Sequence, residues 1–296
     1  MARRHYPRVL IQLLWRLRLD LLVMAGVCLL AALPSGLLKR DFVGQSPLES
    51  ILGIAVSVFL AFRNTQAINR WWEARGHWGG LVNQSLSWRD LLMALLGSSR
   101  EQRRDLQRLL QLQVLAVWLV NFELRTWARA DLRTLVLAMA DRLGFAPSVT
   151  LQQVSLERAG EIQRLSAQGA LSDMGRDALL RSVVDFNNAL GGLQKIRNTP
   201  IPQAYDAFVR LIVWLFGFEL YLDGLFGGFV WLGVLLFAAF LVAERIGAYV
   251  ECPFDRDPGS LSLPLNQICL AISQELLPAD HPLAAMRRCQ DPSIWN

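Results

Sequence analysis

The densest concentration of chemically capable side chains lies at Phe62-Arg63-Asn64-Thr65-Gln66-Ala67-Ile68-Asn69-Arg70-Trp71-Trp72-Glu73-Ala74-Arg75, where an apolar run turns charged and doubly aromatic within one helix. On physical grounds Trp71 and Trp72 form an interfacial belt there and the charges anchor a helix end. Two acidic pairs also stand out. Glu219 and Asp223, four apart near the end of a later apolar run, gain a function only if they face water, and a solvated hairpin tip is the simpler reading. Asp255 and Asp257, separated by Arg256 and followed by Gly259-Ser260-Leu261-Ser262-Leu263, fall short of the roughly six to eight oxygen ligands of a calcium site. The four cysteines, Cys28, Cys252, Cys269 and Cys289, form no CxxC pair, and the only histidines are His5, His77 and His281, so a zinc site has little support and the thiols read as reduced. No Gly-rich phosphate loop, GxSxG elbow or HExxH pair occurs, which argues against an enzyme and implies no cofactor.

The surrounding sequence must position these groups, and its composition points to lipid. The 296 residues are 53% hydrophobic, with a mean hydropathy of +0.30. The net charge of +5 matches no basic block interleaved with base-stacking aromatics, so nucleic acid is not an expected partner, and anionic lipid is. The uncharged run from Leu21 to Leu38 is long for a signal-peptide core and reads as a retained first span, with Pro34 near its far end. Ser50 to Phe62 is too short to cross alone and must borrow flanking residues or be sheltered by protein. Later runs, Phe208 to Leu222 and Gly224 to Ala243, are joined at Asp223-Gly224 in an expected tight turn. Four spans in two hairpins result. Arg3, Arg4, Arg8, Arg16 and Arg18 before the first span place both termini in the cytoplasm of an inner-membrane, multi-pass protein. The region between the hairpins has apolar residues at helical spacing; its uncharged run Leu109 to Phe122 suits a buried helix better than a span. The fold class is all-α, as no strand alternation of comparable length appears.

Three ordered blocks carry a family resemblance. Arg63-Asn64-Thr65 followed by Arg70-Trp71-Trp72 resembles the bestrophin signature at the cytoplasmic end of the second span. Thr199-Pro200-Ile201-Pro202 is similar to that family's Pro-Ile-Pro element before the third span, and Glu251-Cys252-Pro253-Phe254-Asp255-Arg256-Asp257 to its Glu-Asn-Pro-Phe-Gly-x-Asp element after the fourth. The resemblance implies a homopentamer around one pore, with a narrow apolar neck at Ile54, Val58 and Phe62, which share a helix face. It also implies a second, cytosolic constriction near Met174. The stripe Gly53, Ser57 and Ala61 has the small-residue spacing that lets membrane helices approach closely, an assembly surface. Pro200 and Pro202 are expected to form an unwound joint. The acidic run that forms the calcium clasp of animal relatives is degenerate here, around Asp255 and Asp257.

The expected organisation is an amino-terminal arm with the first two spans over 1–75, a cytosolic helical region over 76–205, the last two spans over 206–246 and a cytosolic segment over 247–296. The expected function is passive conduction of monovalent ions, chloride by family, with sodium or another cation open for bacterial-type members. The alternatives are a non-conducting membrane scaffold and, more remotely, a membrane-bound enzyme.

Overall fold

The computed structural model describes residues 6–33, 47–97, 99–125, 128–254 and 261–288. Its described residues form helices and no strand, in the order α1 (Tyr6–Ala32), α2 (Pro47–Leu95), α3 (Arg100–Leu124), α4 (Ala130–Arg142), α5 (Leu151–Ala167), α6 (Asp173–Asn198), α7 (Gln203–Phe226), α8 (Val230–Val250), α9 (Leu265–Leu276) and α10 (Pro282–Ala285). The all-α expectation holds. The chain divides into two compact units, Met1–Trp72 with Thr199–Pro253, and Glu73–Asn198 with Phe254–Asn296. The short apolar run Ser50 to Phe62 is the early part of a 49-residue helix, which no Pro interrupts after Pro47 and which continues through Gly79-Gly80.

In the first unit α1, α2, α7 and α8 bury apolar stripes against one another. Met24 and Cys28 of α1 pack with Tyr221 of α7 and with Phe237 and Leu241 of α8. The Tyr221 hydroxyl donates to the Cys28 carbonyl at 2.7 Å, which removes the cost of an unpaired buried hydroxyl. Val56 and Leu60 of α2 meet Val209, Val213 and Phe216 of α7. Edge-to-face ring pairs, Trp214 with Phe237 and Phe216 with Phe240, seal the α7–α8 contact.

One expectation needs correction: the chain does not turn at Asp223-Gly224. Helix α7 runs through both residues to Phe226, and the reversal occurs at Gly227-Gly228, with Gly228 at φ +80°. Gly224 has a different use. A Cβ there would lie 3.0 Å from the Phe229 carbonyl oxygen and 3.1 Å from Gly233 Cα, so its missing side chain permits close approach of α7 and α8.

The second unit is built around α3. Leu109, Leu112, Leu115, Val117, Trp118 and Val120 are all buried completely, so the run expected to be a buried helix is one. Ser99 caps its start by accepting from the Gln102 amide. Its polar side chains find partners inside the protein: Gln113 donates to Ser85 at 2.9 Å, Trp118 to Ser273 at 3.0 Å, and Asn121 to Asn266 at 2.9 Å. Arg158 of α5 is buried between the rings of Trp88 and Phe186, at 4.7 and 5.1 Å, and burial pulls its pKa down to about 10.

The α7–α8 seam yields a test. A Cβ on Gly233 would meet the backbone, 2.7 Å from the Leu220 carbonyl oxygen and 3.0 Å from Tyr221 Cα, whereas one on Gly26 would meet nothing within 4 Å. Gly233→Ala should therefore lower stability by about 1–3 kcal/mol through overpacking. Gly26→Ala should leave it unchanged or slightly raised. Thermal unfolding of the purified variants in one detergent, followed by size-exclusion fluorescence, measures both.

Candidate functional site

The three sequence blocks meet in one polar network inside the first unit. Arg63 projects from α2 and is fully buried. Its Nη1 donates to the Glu244 carbonyl of α8 at 2.9 Å, and its Nη2 is bonded to the Asp206 carboxylate of α7. The Glu251 carboxylate stands 3.7 Å from Nη2, and that of Glu244, itself only 1% exposed, 4.0 Å from Nη1. The neighbouring Asn64 donates to the Ala243 carbonyl at 3.2 Å. Two turns further along α2, Arg70 donates to the Glu251 carbonyl at 3.0 Å and to the Thr199 carbonyl at 2.7 Å. Glu251 in turn accepts from the Ile201 amide at 3.2 Å.

Each end of this network has a sequence cause. Pro200 and Pro202 lie in the non-helical link 199–202, and proline removes helix donors and leaves carbonyls such as that of Thr199 without helical partners. Arg70 uses that carbonyl. At position 247 a Cβ would overlap Asn64 Oδ1 and Arg63 Nη1, so Gly247 leaves the space that these two side chains fill against α8. The network continues to α1 through Asp20, which accepts from Arg245 at 2.5 Å and Arg210 at 3.3 Å. The Arg16 guanidinium lies 3.9 Å above the Tyr249 ring. Acids and arginines alternate throughout, the condition under which buried charges are tolerated.

The other sequence-predicted positions are placed as follows. Ile54, Val58 and Phe62 lie on one outward face of α2, at 67%, 46% and 62% exposure. Of the small-residue stripe, only Gly53 packs within the chain, where a Cβ would sit 2.9 Å from the Phe216 ring; Ser57 and Ala61 are exposed. Thr65 is exposed, and Trp71 and Trp72 pair edge to face at 5.0 Å. Met174, in the first turn of α6, is 86% exposed. Asp255 and Asp257 lie outside the described residues. Among the described residues no group of three or more His, Cys, Asp or Glu side chains is arranged to hold a metal ion.

Sequence reasoning missed the counter-charges Asp20, Asp206 and Glu244. Their signal was present: Glu244-Arg245 closes the most apolar run, Asp206 follows Pro202 by one helical turn, and Asp20 is the lone acid before the first run. An ionisable group in such a position must have a partner.

An all-helical chain whose most buried charge unites these blocks defines a narrow class, and the comparisons identify it. Residues 3–278 match the family described as Bacterial/Fungal Bestrophin protein, and the chain belongs to that family. The voltage-dependent anion channel-forming protein YneE of Escherichia coli is 30% identical over 235 residues, covering 77% of this chain and 74% of that one. A voltage-dependent anion channel-forming protein of Ralstonia nicotianae is 29% identical over 220 residues, 72% and 71% of the two chains. The crystal structure of a bacterial bestrophin homologue from Klebsiella pneumoniae shares the fold, with a TM-score of 0.73 at 24% identity over 92% of this chain and 99% of that one.

Removing one member of a buried ion network strands the others. Arg63→Met is expected to cost about 3–5 kcal/mol, since the carboxylates of Glu244, Glu251 and Asp206 lose their shared cation. Thr65→Val, on the exposed face of the same turn, should stay within about 0.5 kcal/mol of the parent. Thermal unfolding in detergent compares them; equal midpoints would show that Arg63 does not tie the helices together.

Proposed function

We propose that this chain is one subunit of a ring-shaped ion channel that conducts monovalent ions passively. The observation that carries this reading is the outward row Ile54, Val58 and Phe62: three large apolar side chains on one face of α2, exposed in the single chain, beside a face locked by Arg63. One helix cannot enclose a water path, but copies related by a closed rotation can, and each copy would add one side chain to each of three stacked rings. A narrow apolar ring resists wetting, because ions lose hydration there without compensation, so the row would act as a gate. Five copies are the family expectation. Met174, also exposed, would supply the second constriction.

In this reading α1, the early part of α2, α7 and α8 span the bilayer. By length and composition, Ser50–Leu95 and Val230–Val250 carry windows apolar enough to do so. Leu22, Leu29 and Leu30 of α1, Leu211 and Leu215 of α7 and Leu235 of α8 are exposed and would meet lipid. Both termini and the helices between the two hairpins would lie in the cytoplasm, with boundaries near 75, 205 and 246, and the membrane would be the inner membrane. The names of the relatives favour anions as the permeant species. Reversal potentials of the purified channel in bilayers under paired sodium and chloride gradients decide the sign.

Two mutational outcomes test the pore. Replacing Ile54, Val58 and Phe62 together by Ala should widen and wet the neck and raise conductance or open probability roughly tenfold, equivalent to about 1.4 kcal/mol of barrier. Single-channel recording reads this, and unchanged conductance in a normally assembled triple variant would move the gate elsewhere, with Met174 the next candidate. Ser57 is exposed, so Ser57→Leu adds its bulk outside the buried stripe of α2. If the small-residue stripe lies between subunits, that variant should lose the closed ring in native mass spectrometry while its monomer stays folded.

A further inference from the structure

The link 199–202 that enters α7 is not helical, and Pro200 and Pro202 have no amide hydrogen to give, so Ile201 carries the one amide between them. Two side chains hold this link. Arg70 of α2 donates to the Thr199 carbonyl at 2.7 Å, and the Glu251 carboxylate accepts from the Ile201 amide at 3.2 Å. The same two residues are bonded to each other, Arg70 Nε donating to the Glu251 carbonyl at 3.0 Å. The bonds therefore close a ring from Arg70 through Thr199, Ile201 and Glu251 back to Arg70. The Glu251 amide donates to the Gly247 carbonyl at 3.1 Å, which seats the residue on the last turn of α8. Its carboxylate, 12% exposed, also stands 3.7 Å from Arg63 Nη2. One residue of α8 thus grips α2 twice, Arg63 with its side chain and Arg70 with its backbone. Arg63 and Arg70 are seven residues apart on one helix, at nearly the same angle around it and about 10 Å apart along it. Two grips on one face resist both rotation and tilt.

We propose that Glu251 is a positioning residue for the neck: its carboxylate ties the link 199–202 to α2 and so holds Ile54, Val58 and Phe62 in the orientation in which the gate is closed. The inference rests on the channel reading above and adds to it a residue that touches no ion. Phe62 immediately precedes Arg63, so any rotation that carries Arg63 away from Glu251 carries Phe62 with it. An apolar ring stays dry only while every copy presents its row to the axis, and a looser α2 spends less time there. Removing the Glu251 side chain loosens the helix without dismantling it. Arg63 keeps the Asp206 carboxylate and the Glu244 carbonyl, and Arg70 keeps the backbone carbonyl of residue 251. What is lost is the tie to Ile201 and one of the anions beside Arg63.

The experiment pairs single-channel recording of the full-length protein in planar bilayers with hydrogen–deuterium exchange over residues 199–205. Glu251→Ala should raise open probability about fivefold and speed exchange of the Ile201 amide by a similar factor, the worth of about one hydrogen bond. Unitary current and reversal potential should stay at the parent values, because no neck side chain is altered. Glu251→Gln keeps an acceptor for Ile201 but loses the charge beside Arg63, and its open probability should fall between the two. Glu275→Gln, an exposed carboxylate of α9, is the control and should behave as the parent. A merely structural role would lower the number of channels and leave the open probability of each unchanged, which overturns the proposal. So does an altered unitary current, or an Ile201 amide that exchanges at the parent rate in Glu251→Ala. If Glu251→Ala fails to assemble, Glu251→Gln decides, and a parent-like open probability overturns the proposal. A parent that carries no current sinks the channel reading and this inference together; a conducting parent with an insensitive variant sinks this inference alone.

Discussion

A guanidinium with no exposure to water is the constraint on which the first unit depends. The desolvation cost of Arg63 is several kcal/mol, and only close anions and carbonyls offset it. The sequence supplies them from distant places: Asp206 at the start of α7, and Glu244 and Glu251 at the end of α8. Satisfying one side chain therefore brings three helices into a single register, and Asp20 extends the same accounting of charge to α1 through Arg245 and Arg210. Apolar stripes could slide along one another at little cost. Paired charges and the Asn64 and Arg70 bonds to specific carbonyls cannot.

Fixing Arg63 also fixes the rotation of α2 about its axis. Successive helical residues are about 100° apart, so a helix held inward at Val56, Leu60, Arg63 and Ala67 must turn Ile54, Val58 and Phe62 to a different face. The proposed neck and the buried network are in this sense one feature: Phe62 points outward because Arg63, next in sequence, points in. A substitution in the network would reach the neck by rotating or tilting this helix, without touching any neck side chain.

Much of the fold was legible because it rests on local pattern. Helical spacing gave the all-α class, and the length of the uncharged run Leu109 to Phe122 marked α3 as a buried helix. The signature blocks were visible as motifs, and the structure shows that they share bonds. Which acids answer Arg63 was not legible, because Asp206 and Glu244 are 143 and 181 residues away and one sequence carries no record of such pairings. The misplaced turn has a local cause of a different kind. Asp223-Gly224 has turn chemistry, but glycine serves close helix approach as well as reversal, and Gly227-Gly228 stood three residues further on with the positive φ that a reversal needs.

One rule sorts the helices by environment: each buried polar group needs a partner, and lipid tails offer none. Helix α3 has an uncharged run as apolar as a short span, yet Gln113, Trp118 and Asn121 along it find Ser85, Ser273 and Asn266, so these polar groups are met by protein. On α1, α7 and α8 the arrangement is reversed. Asp20, Arg210, Glu244 and Arg245 pair with one another within the unit, Asp206 pairs with Arg63 of α2, and Leu22, Leu29, Leu215 and Leu235 are left on the outside. An outward leucine on one helix would mean little. Helices that pair their charges at one level and show leucines outward elsewhere fit the bilayer setting proposed for them. The row on α2 is the exception that defines the proposed pore, because Ser57 and Ala61 beside it are too small to gain much from lipid but well suited to a neighbouring helix.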